Sequence, residues 1–427
     1  MHVTKKYLSD TKVSLTLVAD ADLLDSEKQK VLREFVRTVK IQGFREGKAP
    51  LAMVEKAVEP SRLQPEFLEH AVNRLYIAAM DHEKLRPVTQ PQIKITKFVP
   101  YDTLEVEAEV EVVGEVHLPD YKKIKLARDK VSVDAKEVDE VIANLRTREA
   151  EKKDVDRAAK EKDQVWIDFK GVDAKTKEEI KGADGKDYPL LLGSNTFIPG
   201  FETNLVGLKP GDEKTFVLTF PKDYGVKSLQ NRKVEFTVTV KQVQEVVEPK
   251  LDDAFAAKIG PFKTVAELKA DIKKELTARK ENEAELKYAD DLLTKIAEKS
   301  KVAIPQVLID EQLDRLEQEQ RQNLMYRGQT WQEWLEGEGL TAETFRDKLR
   351  PQAELRVKAG LVLSEVAEKE NLEVTPEELE VQIQIPKARY QDEKMQAELD
   401  KPEGRRSIAS RILTDKTMAK LKEYAQK

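Results

Sequence analysis

The first hundred residues alternate between the two apolar periods that distinguish strands from helices. Residues 13–18 alternate apolar and polar side chains, which predicts a strand, whereas residues 26–40 carry one apolar stripe at helical spacing. A second helical stripe occupies residues 65–83, and strands are predicted around residues 93–95 and over residues 104–112. In the last of these strands, apolar residues alternate with glutamates and other polar residues, which is typical of a sheet with one solvated face. We therefore expect a compact N-terminal α+β domain over residues 1–113.

A highly charged segment separates this domain from a β-rich region. Residues 134–160 carry one apolar face on a charged background, which predicts a helix that leads out to the next domain. We interpret residues 114–150 as a connector. From Gln164 onward, short β-type runs alternate with glycine-containing turns. This pattern predicts a β-rich domain over residues 151–246, inserted into the chain.

The remainder of the chain, residues 247–427, is predicted to be helical. Thr264 and Glu267 form a capping-box signature that opens a long helix. Later breaks are expected at Pro305, Gly328, Gly337, Gly339, Pro351, Pro376 and Pro402. The expected fold class is thus multidomain α+β, with a β-rich inserted domain and a helical C-terminal domain.

Composition then removes whole classes of chemistry. The 427 residues include no cysteine, which excludes disulfides and thiolate sites. The four histidines show neither metal-ligand spacing nor a catalytic triad pattern. The segment from Gly43 to Ala49 has too few residues between its glycines for a phosphate-binding loop. We therefore expect no metal, no nucleotide and no other cofactor.

Charge is distributed unevenly along the chain. The net charge is -6, yet residues 1–100 contain 17 Lys and Arg against 13 Asp and Glu, and seven basic residues lie between Lys28 and Lys48. A solvated helix face is the ordinary explanation of such a run. The N-terminus lacks the apolar segment of a signal peptide, and no window approaches the roughly 20 apolar residues of a membrane span. We expect a cytoplasmic protein without a membrane partner.

The segment from Gly43 to Pro50 predicts an exposed tip at the end of the basic helix. Phe44 could insert into an apolar slot of a partner, while Arg45 and Lys48 could engage phosphates or carboxylates. Gly43 and Gly47 permit the turn. From these residues alone, a plain turn and a docking loop are equally good interpretations.

The tip resembles the ribosome-docking signature of the bacterial trigger factor family, in which Gly43, Phe44, Arg45, Gly47, Lys48 and Pro50 match in order. Glu46 stands where the family commonly has lysine or proline. The resemblance extends over the whole chain, including the helical stretch from Leu349 to Lys358. It implies docking to the large ribosomal subunit near the tunnel exit, binding of nascent and unfolded polypeptides, and homodimer formation when the protein is free.

The central region resembles the FKBP-type prolyl isomerase module that this family carries. The resemblance rests on the segments Ile198 to Glu202 and Gly207 to Gly211. It implies that a substrate pocket is formed by Phe169, Tyr188, Ile198, Phe201, Tyr224 and Phe236, with Phe201 at the floor and the Tyr224 hydroxyl as a donor. Where such modules usually place an aromatic residue and an aspartate, this chain has Ile180 and Lys181, a departure that bears on isomerase strength.

A group of apolar and aromatic residues in the C-terminal region offers a candidate client-binding surface. Its members stand in a strongly charged background: Leu324, Met325, Tyr326, Trp331 and Trp334. Core packing is the alternative explanation, and periodicity does not separate the two. Together, these resemblances imply an ATP-independent chaperone with isomerase activity; the alternative is a non-enzymatic holdase or scaffold whose β-rich domain only binds peptides.

Overall fold

The computed structural model describes residues 1–42, 44, 45, 47–224, 229–388 and 392–426, with Lys181 and Glu393 described by their backbone alone. The chain divides into two compact units. One unit comprises Met1–Leu126, Ala289–Gln320 and Arg346–Lys427, and the other comprises Ala127–Tyr288 and Arg321–Phe345. We refer to them as the first unit and the second unit.

The N-terminal part of the first unit is an antiparallel sheet covered by helices. Its elements are β1 (His2–Tyr7), β2 (Lys12–Val18), α1 (Ala21–Thr38), α2 (Leu51–Ala57), α3 (Pro60–Glu83), β3 (Gln92–Val99) and β4 (Thr103–Glu111). The strand order is β1-β2-β4-β3. Alternate residues of β2 and β4 are buried, and they pack against Phe67, Ala71 and Leu75 of α3. The apolar positions of the predicted alternation therefore lie on the core face of the sheet.

Three differences from the predicted N-terminal elements have local causes. Helix α1 begins at Ala21 because Asp20 caps it, its carboxylate accepting a hydrogen bond from the Leu23 N–H at 2.9 Å. Helix α3 begins at Pro60 rather than residue 65, since a proline is favourable at the first helical position. Helix α2 was not predicted because seven residues are too few to show a helical period.

The second unit contains the β-rich module. Helix α4 (Ala135–Arg148) precedes the module in the chain. The elements of the module are β5 (Glu151–Asp154), β6 (Gln164–Asp173), β7 (Glu179–Leu191), α5 (Phe201–Leu205), β8 (Glu213–Thr219) and β9 (Lys233–Val247). The sheet has the order β5-β9-β6-β7, and β8 also pairs with β9. The prediction of one helix over residues 134–160 was wrong, because Glu151–Asp154 pairs with the end of β9 instead.

After the module, helices dominate the described residues. They are α6 (Asp253–Ile259), α7 (Val265–Lys299), α8 (Gln306–Tyr326), α9 (Trp331–Glu338), α10 (Ala342–Lys369), α11 (Pro376–Lys387), α12 (Glu393–Asp400) and α13 (Pro402–Gln426). A 3₁₀ turn, Tyr121–Lys123, lies in the first unit. The β-rich centre and the helical C-terminal region confirm the predicted fold class. The boundaries proposed for the domains stay predictions.

Of the seven predicted helix breaks, three fall between elements, two are the first residues of helices (Pro376 of α11 and Pro402 of α13), and two fall inside helices. Pro351 lies within α10, and Gly337 lies within α9. A proline removes one helical hydrogen bond, yet α10 continues because Leu349 and Ala353, on either side of it, pack with Leu313 of α8. Among the helices in the described ranges, none has both the length and the apolar character that crossing a membrane requires.

Candidate functional site

A cavity of about 510 Å³ opens in the β-rich module, where β6, β7 and the segments flanking α5 and β8 meet. Five of the six residues proposed for a pocket line it, while Phe201 does not. The full lining is Phe169, Gly182, Ala183, Asp184, Tyr188, Thr196, Phe197, Ile198, Pro199, Phe220, Pro221, Tyr224 and Phe236. Residues distant in sequence therefore create a concave surface to which six aromatic side chains contribute.

Phe201 lies beneath the cavity rather than on its surface. Its side chain has no exposed area, and its ring stacks on that of Phe197 with centroids 4.3 Å apart. The rings of Phe216 and Phe236 meet it edge-on at 5.4 and 5.3 Å. Edge-to-face and stacked aromatic pairs of this kind stabilise a core beyond their buried area. Phe201 thus supports the wall residues from below.

Phe197 and Phe220 are cavity residues that the sequence prediction missed. The Phe197 ring lies 5.4 Å from both Phe169 and Tyr188, so it joins two of the predicted wall residues. Phe220 packs edge-on against Tyr224 at 4.6 Å. Phe197 directly precedes the motif that begins at Ile198, and this adjacency was an available signal. Phe220 offered none, because only the return of β8 toward β9 brings it to the cavity.

A glycine permits the position of the Phe169 ring. A Cβ atom at Gly185 would lie 2.6 Å from the nearest carbon of that ring, much closer than carbon atoms approach. Gly185 and Phe169 are cross-strand partners in β7 and β6. The ring therefore lies against a backbone position that no larger residue could occupy without moving it.

The polar frame behind the cavity fixes the strands that carry its walls. Asp168 of β6 accepts a hydrogen bond from the Asp187 N–H at 2.7 Å and forms an ion pair with Lys241 at 3.0 Å. These two contacts lower the pKa of the Asp168 carboxyl below its usual value. Lys241 also pairs with Asp187 at 2.6 Å. Strands β6, β7 and β9 are thereby joined next to Phe169 and Tyr188.

The cavity offers apolar walls, hydroxyl groups and one carboxylate. Tyr224 is half-buried at its edge, and Asp184 is exposed. Within the described ranges, no ionic partner of Asp184 is found. Ile180, at the position of the noted departure, is buried in the module core, and the Lys181 side chain lies outside the described residues. Such a surface suits an extended peptide segment that contains a proline ring. Binding and rotating such a segment requires no nucleophilic side chain.

The predicted tip in the first unit is an exposed turn on an apolar base. Phe44 is 41% exposed, and Arg45 and Lys48 are exposed as well. Gly47 has a φ of 78°, in the left-handed region that glycine tolerates, and its N–H donates to the Val36 carbonyl at 3.2 Å. Gly43 and Glu46 lie outside the described residues. The flanking Ile41 and Leu51 pack into a cluster around Val31 and Val54.

Comparison with known proteins places these two sites in matched regions. Residues 1–145 match the bacterial trigger factor protein, residues 264–423 its C-terminus, and residues 155–241 the FKBP-type peptidyl-prolyl cis-trans isomerase. A curated trigger factor of Caldicellulosiruptor bescii is 34% identical over 87% of this chain and 85% of its own length. That of Pelotomaculum thermopropionicum is 31% identical over 100% and 98%.

The chain belongs to the trigger factor family. A solved structure of the trigger factor chaperone aligns over 99% of both chains with 21% identity and a TM-score of 0.46, so the assignment rests on the sequence matches. The trigger factor N-terminal region contains the tip, and the FKBP-type region contains the whole cavity lining.

The candidate client-binding residues differ in exposure. Met325 and Tyr326 are 69% and 85% exposed, whereas Leu324 is buried. Trp331 and Trp334 are half-buried, stack on each other at 5.3 Å and both meet Phe345 edge-on at 5.2 Å. Two of the five residues are thus largely exposed to solvent. Further exposed apolar side chains, which the sequence analysis did not select, include Leu286, Val381, Ile385 and Met395.

Proposed function

We propose that this chain is a ribosome-associated, ATP-independent chaperone that binds nascent polypeptides at the tunnel exit and catalyses peptidyl-prolyl cis-trans isomerisation. Membership of the trigger factor family supports the chaperone part. The aromatic cavity within the FKBP-type region carries the isomerase part. The proposal includes a cytoplasmic location, and a homodimer as the state of the chain when it is free of the ribosome.

The isomerase proposal follows from the physics of the prolyl bond. Amide resonance gives the bond a rotation barrier of about 18–20 kcal/mol. The twisted amide has lost that resonance and its charge separation, so apolar walls favour it over the planar ground state. In this chain Phe169, Tyr188 and Phe197 would supply such walls, and the Tyr224 hydroxyl would donate a hydrogen bond to the substrate. Each 1.36 kcal/mol of preferential binding gives about a tenfold acceleration.

Docking is proposed to occur through Phe44, Arg45, Gly47 and Lys48, together with Gly43. An exposed aromatic side chain that is followed in sequence by two exposed cations can combine apolar insertion with contacts to phosphate oxygens. Attachment near the tunnel exit raises the effective concentration of emerging chains, so weak apolar client contacts suffice. Met325 and Tyr326 are the first candidates for such contacts, with Leu324, Trp331 and Trp334 next to them.

An isomerisation assay tests the catalytic part of this proposal. The full chain should accelerate cis-trans exchange of a proline peptide, and Tyr188→Ala should reduce kcat/KM because it removes an exposed wall at little expected cost in stability. Tyr7→Ala is the matched control, since Tyr7 is also an exposed tyrosine of a strand but lies in the N-terminal sheet. Equal rates in both variants would place the chemistry elsewhere.

The alternative is a non-enzymatic holdase or scaffold whose FKBP-like module only binds peptides. Its specific support is Ile180 and Lys181, which replace the aromatic residue and aspartate usual in FKBP modules. A wild-type rate equal to the uncatalysed background, with intact suppression of aggregation, would favour this alternative.

A further inference from the structure

One buried charge in the β-rich module has no part in the proposed chemistry. Glu202, in helix α5, is 8% exposed. Within the described ranges, no Lys or Arg forms an ion pair with its carboxylate. Removing a carboxylate from water without a compensating partner is strongly unfavourable. Its hydrogen bonds must therefore account for its burial.

The carboxylate is surrounded by donors of the loop that precedes α5, residues 193–197. Both oxygens accept hydrogen bonds from backbone N–H groups, and one also accepts a hydrogen bond from a hydroxyl. The donors are Gly193 N at 2.7 Å and Asn195 N at 3.2 Å to Oε2, with Thr196 N at 2.9 Å, Ser194 Oγ at 3.3 Å and Phe197 N at 3.4 Å to Oε1. Convergent backbone N–H groups form a well-suited environment for an anion. Here the anion is a side chain of the protein itself.

The loop held in this way has a conformation that it would not adopt easily alone. Asn195 has a φ of 55° and Gly193 a φ of 92°, both in the left-handed region. For a residue with a Cβ atom this region is unfavourable, so the surrounding structure must over-determine it. The Glu202 carboxylate supplies that constraint by binding the N–H groups of both residues.

The same loop ends in the cavity wall. Thr196 and Phe197 line the cavity, and Phe197 stacks on Phe201, the residue directly before Glu202. One short helix therefore fixes Phe197 twice, through the buried Phe201 ring and through the Glu202 carboxylate. A shift of the loop would move the Phe197 ring relative to Phe169 and Tyr188.

We propose that Glu202 is a positioning residue of the cavity: its buried carboxylate sets the 193–197 loop, and thereby the Phe197 wall, for the substrate's prolyl bond. This proposal rests on the proposed isomerase function. Glu202 touches no substrate; it acts through Phe197. Misplacement of a reacting group by about 1 Å can cost about a hundredfold in rate, so such a residue has a measurable effect.

The decisive variant is Glu202→Gln in the full chain. The amide keeps the size of the side chain but replaces one acceptor oxygen by an NH₂ group that faces N–H donors. We expect faster hydrogen exchange at the amides of residues 193–197, a raised KM, and a kcat/KM lower by about tenfold or more. A merely destabilised module would lower kcat through loss of folded molecules and leave the KM of the remaining molecules unchanged.

A control variant and a substitute variant complete this test. Glu161→Gln is the matched control, because Glu161 is exposed in the same module, and it should behave as wild type. If Glu202→Gln does not fold, Glu202→Asp replaces it, since the shorter carboxylate keeps the charge but cannot reach every donor. Wild-type exchange and wild-type KM in the folded variant would overturn the proposal.

Failure of the isomerase function can be separated from failure of this inference. If the wild-type chain does not catalyse isomerisation, the proposed activity is wrong, and Glu202 is then judged by the Kd for a proline peptide and by amide exchange. A weaker Kd with faster exchange in Glu202→Gln supports the positioning role. An unchanged Kd, or unchanged exchange, contradicts it.

Discussion

At the scale of the residue, the shape of the cavity depends on the absence of one side-chain atom at Gly185. The absence of a Cβ at Gly185 allows the Phe169 ring to lie against the β7 backbone, and the rings of Tyr188, Phe197 and Phe201 are arranged around it. Because protein interiors are closely packed, a displaced ring transmits its movement to its neighbours. The wall thus depends on a residue that contributes no side chain.

Gly185→Ala should therefore reduce isomerase activity. The added methyl group must displace the Phe169 ring, and we expect kcat/KM to fall by about tenfold or more, with destabilisation of about 1–3 kcal/mol from overpacking. Gly337→Ala is the control, because a Cβ there meets only open space in helix α9. Activity assays together with urea unfolding check this. Full activity in Gly185→Ala would show that the Phe169 position is unimportant.

The tip allows a second prediction at this scale. Replacing Phe44, Arg45 and Lys48 together by Ala should abolish ribosome association and leave the fold intact, because exposed changes usually alter stability by within about 0.5 kcal/mol. Co-sedimentation with ribosomes at moderate salt measures the loss. Binding of the wild-type chain should also weaken as salt rises. Unchanged co-sedimentation of the triple variant would contradict the docking proposal.

At the scale of elements, a polar cluster joins three segments of the first unit. Glu370, at the end of α10, accepts hydrogen bonds from the hydroxyls of Tyr121 at 2.6 Å and Tyr424 at 2.7 Å, and pairs with Lys122 at 2.8 Å. Lys122 and the two hydroxyls lower the pKa of the Glu370 carboxyl to about 2. Burial and the Glu370 carboxylate raise the pKa of Tyr121 to about 12. The cluster is therefore fully formed at neutral pH.

The lowered pKa of Glu370 predicts an acid-sensitive contribution to stability. A carboxyl whose pKa falls from 4.5 to about 2 on folding stabilises the native state above pH 4.5, and this contribution is lost as the pH falls toward 2. The stability difference between wild type and Glu370→Gln should thus shrink between pH 5 and pH 3. Urea unfolding followed by circular dichroism measures it, with the exposed Glu377→Gln as control. A pH-independent difference would refute this account.

At the scale of the whole molecule, the β-rich module begins and ends on neighbouring strands. Glu151 of β5 is the cross-strand partner of Val247 of β9, so the two chain ends of the module are adjacent. The module also has its own core, which contains Val165, Phe201 and Val238. Both features support the proposed insertion of residues 151–246 between the flanking segments.

Excision of this module should separate the two proposed activities. Replacing residues 151–246 by a short Gly/Ser linker should leave the remaining helices folded, because adjacent ends need only a short connection. We expect the excised chain to suppress aggregation of an unfolded protein at near-stoichiometric ratios, and to lose catalysis of proline-limited refolding. If aggregation suppression disappears while circular dichroism still shows the helices, clients are held chiefly by the module.

The sequence by itself determined the features that are encoded locally. Apolar periodicity predicted β2, β4 and the body of α1, and contiguous motifs located the tip and the segment from Ile198 to Phe201. A single sequence is enough to show such signals because the residues that interact are neighbours along a strand, a helix or a turn. The order of the domains could be predicted for the same reason.

Only the tertiary structure decided which distant segments meet. It paired Glu151–Asp154 with β9 where the local charge pattern favoured a helix, and it continued α10 through Pro351 because packing on both sides outweighs one lost hydrogen bond. It also brought Phe220 to the cavity and surrounded the Glu202 carboxylate with the N–H groups of the 193–197 loop. Burial and hydrogen-bond partners depend on the path of the whole chain, and no local period encodes them.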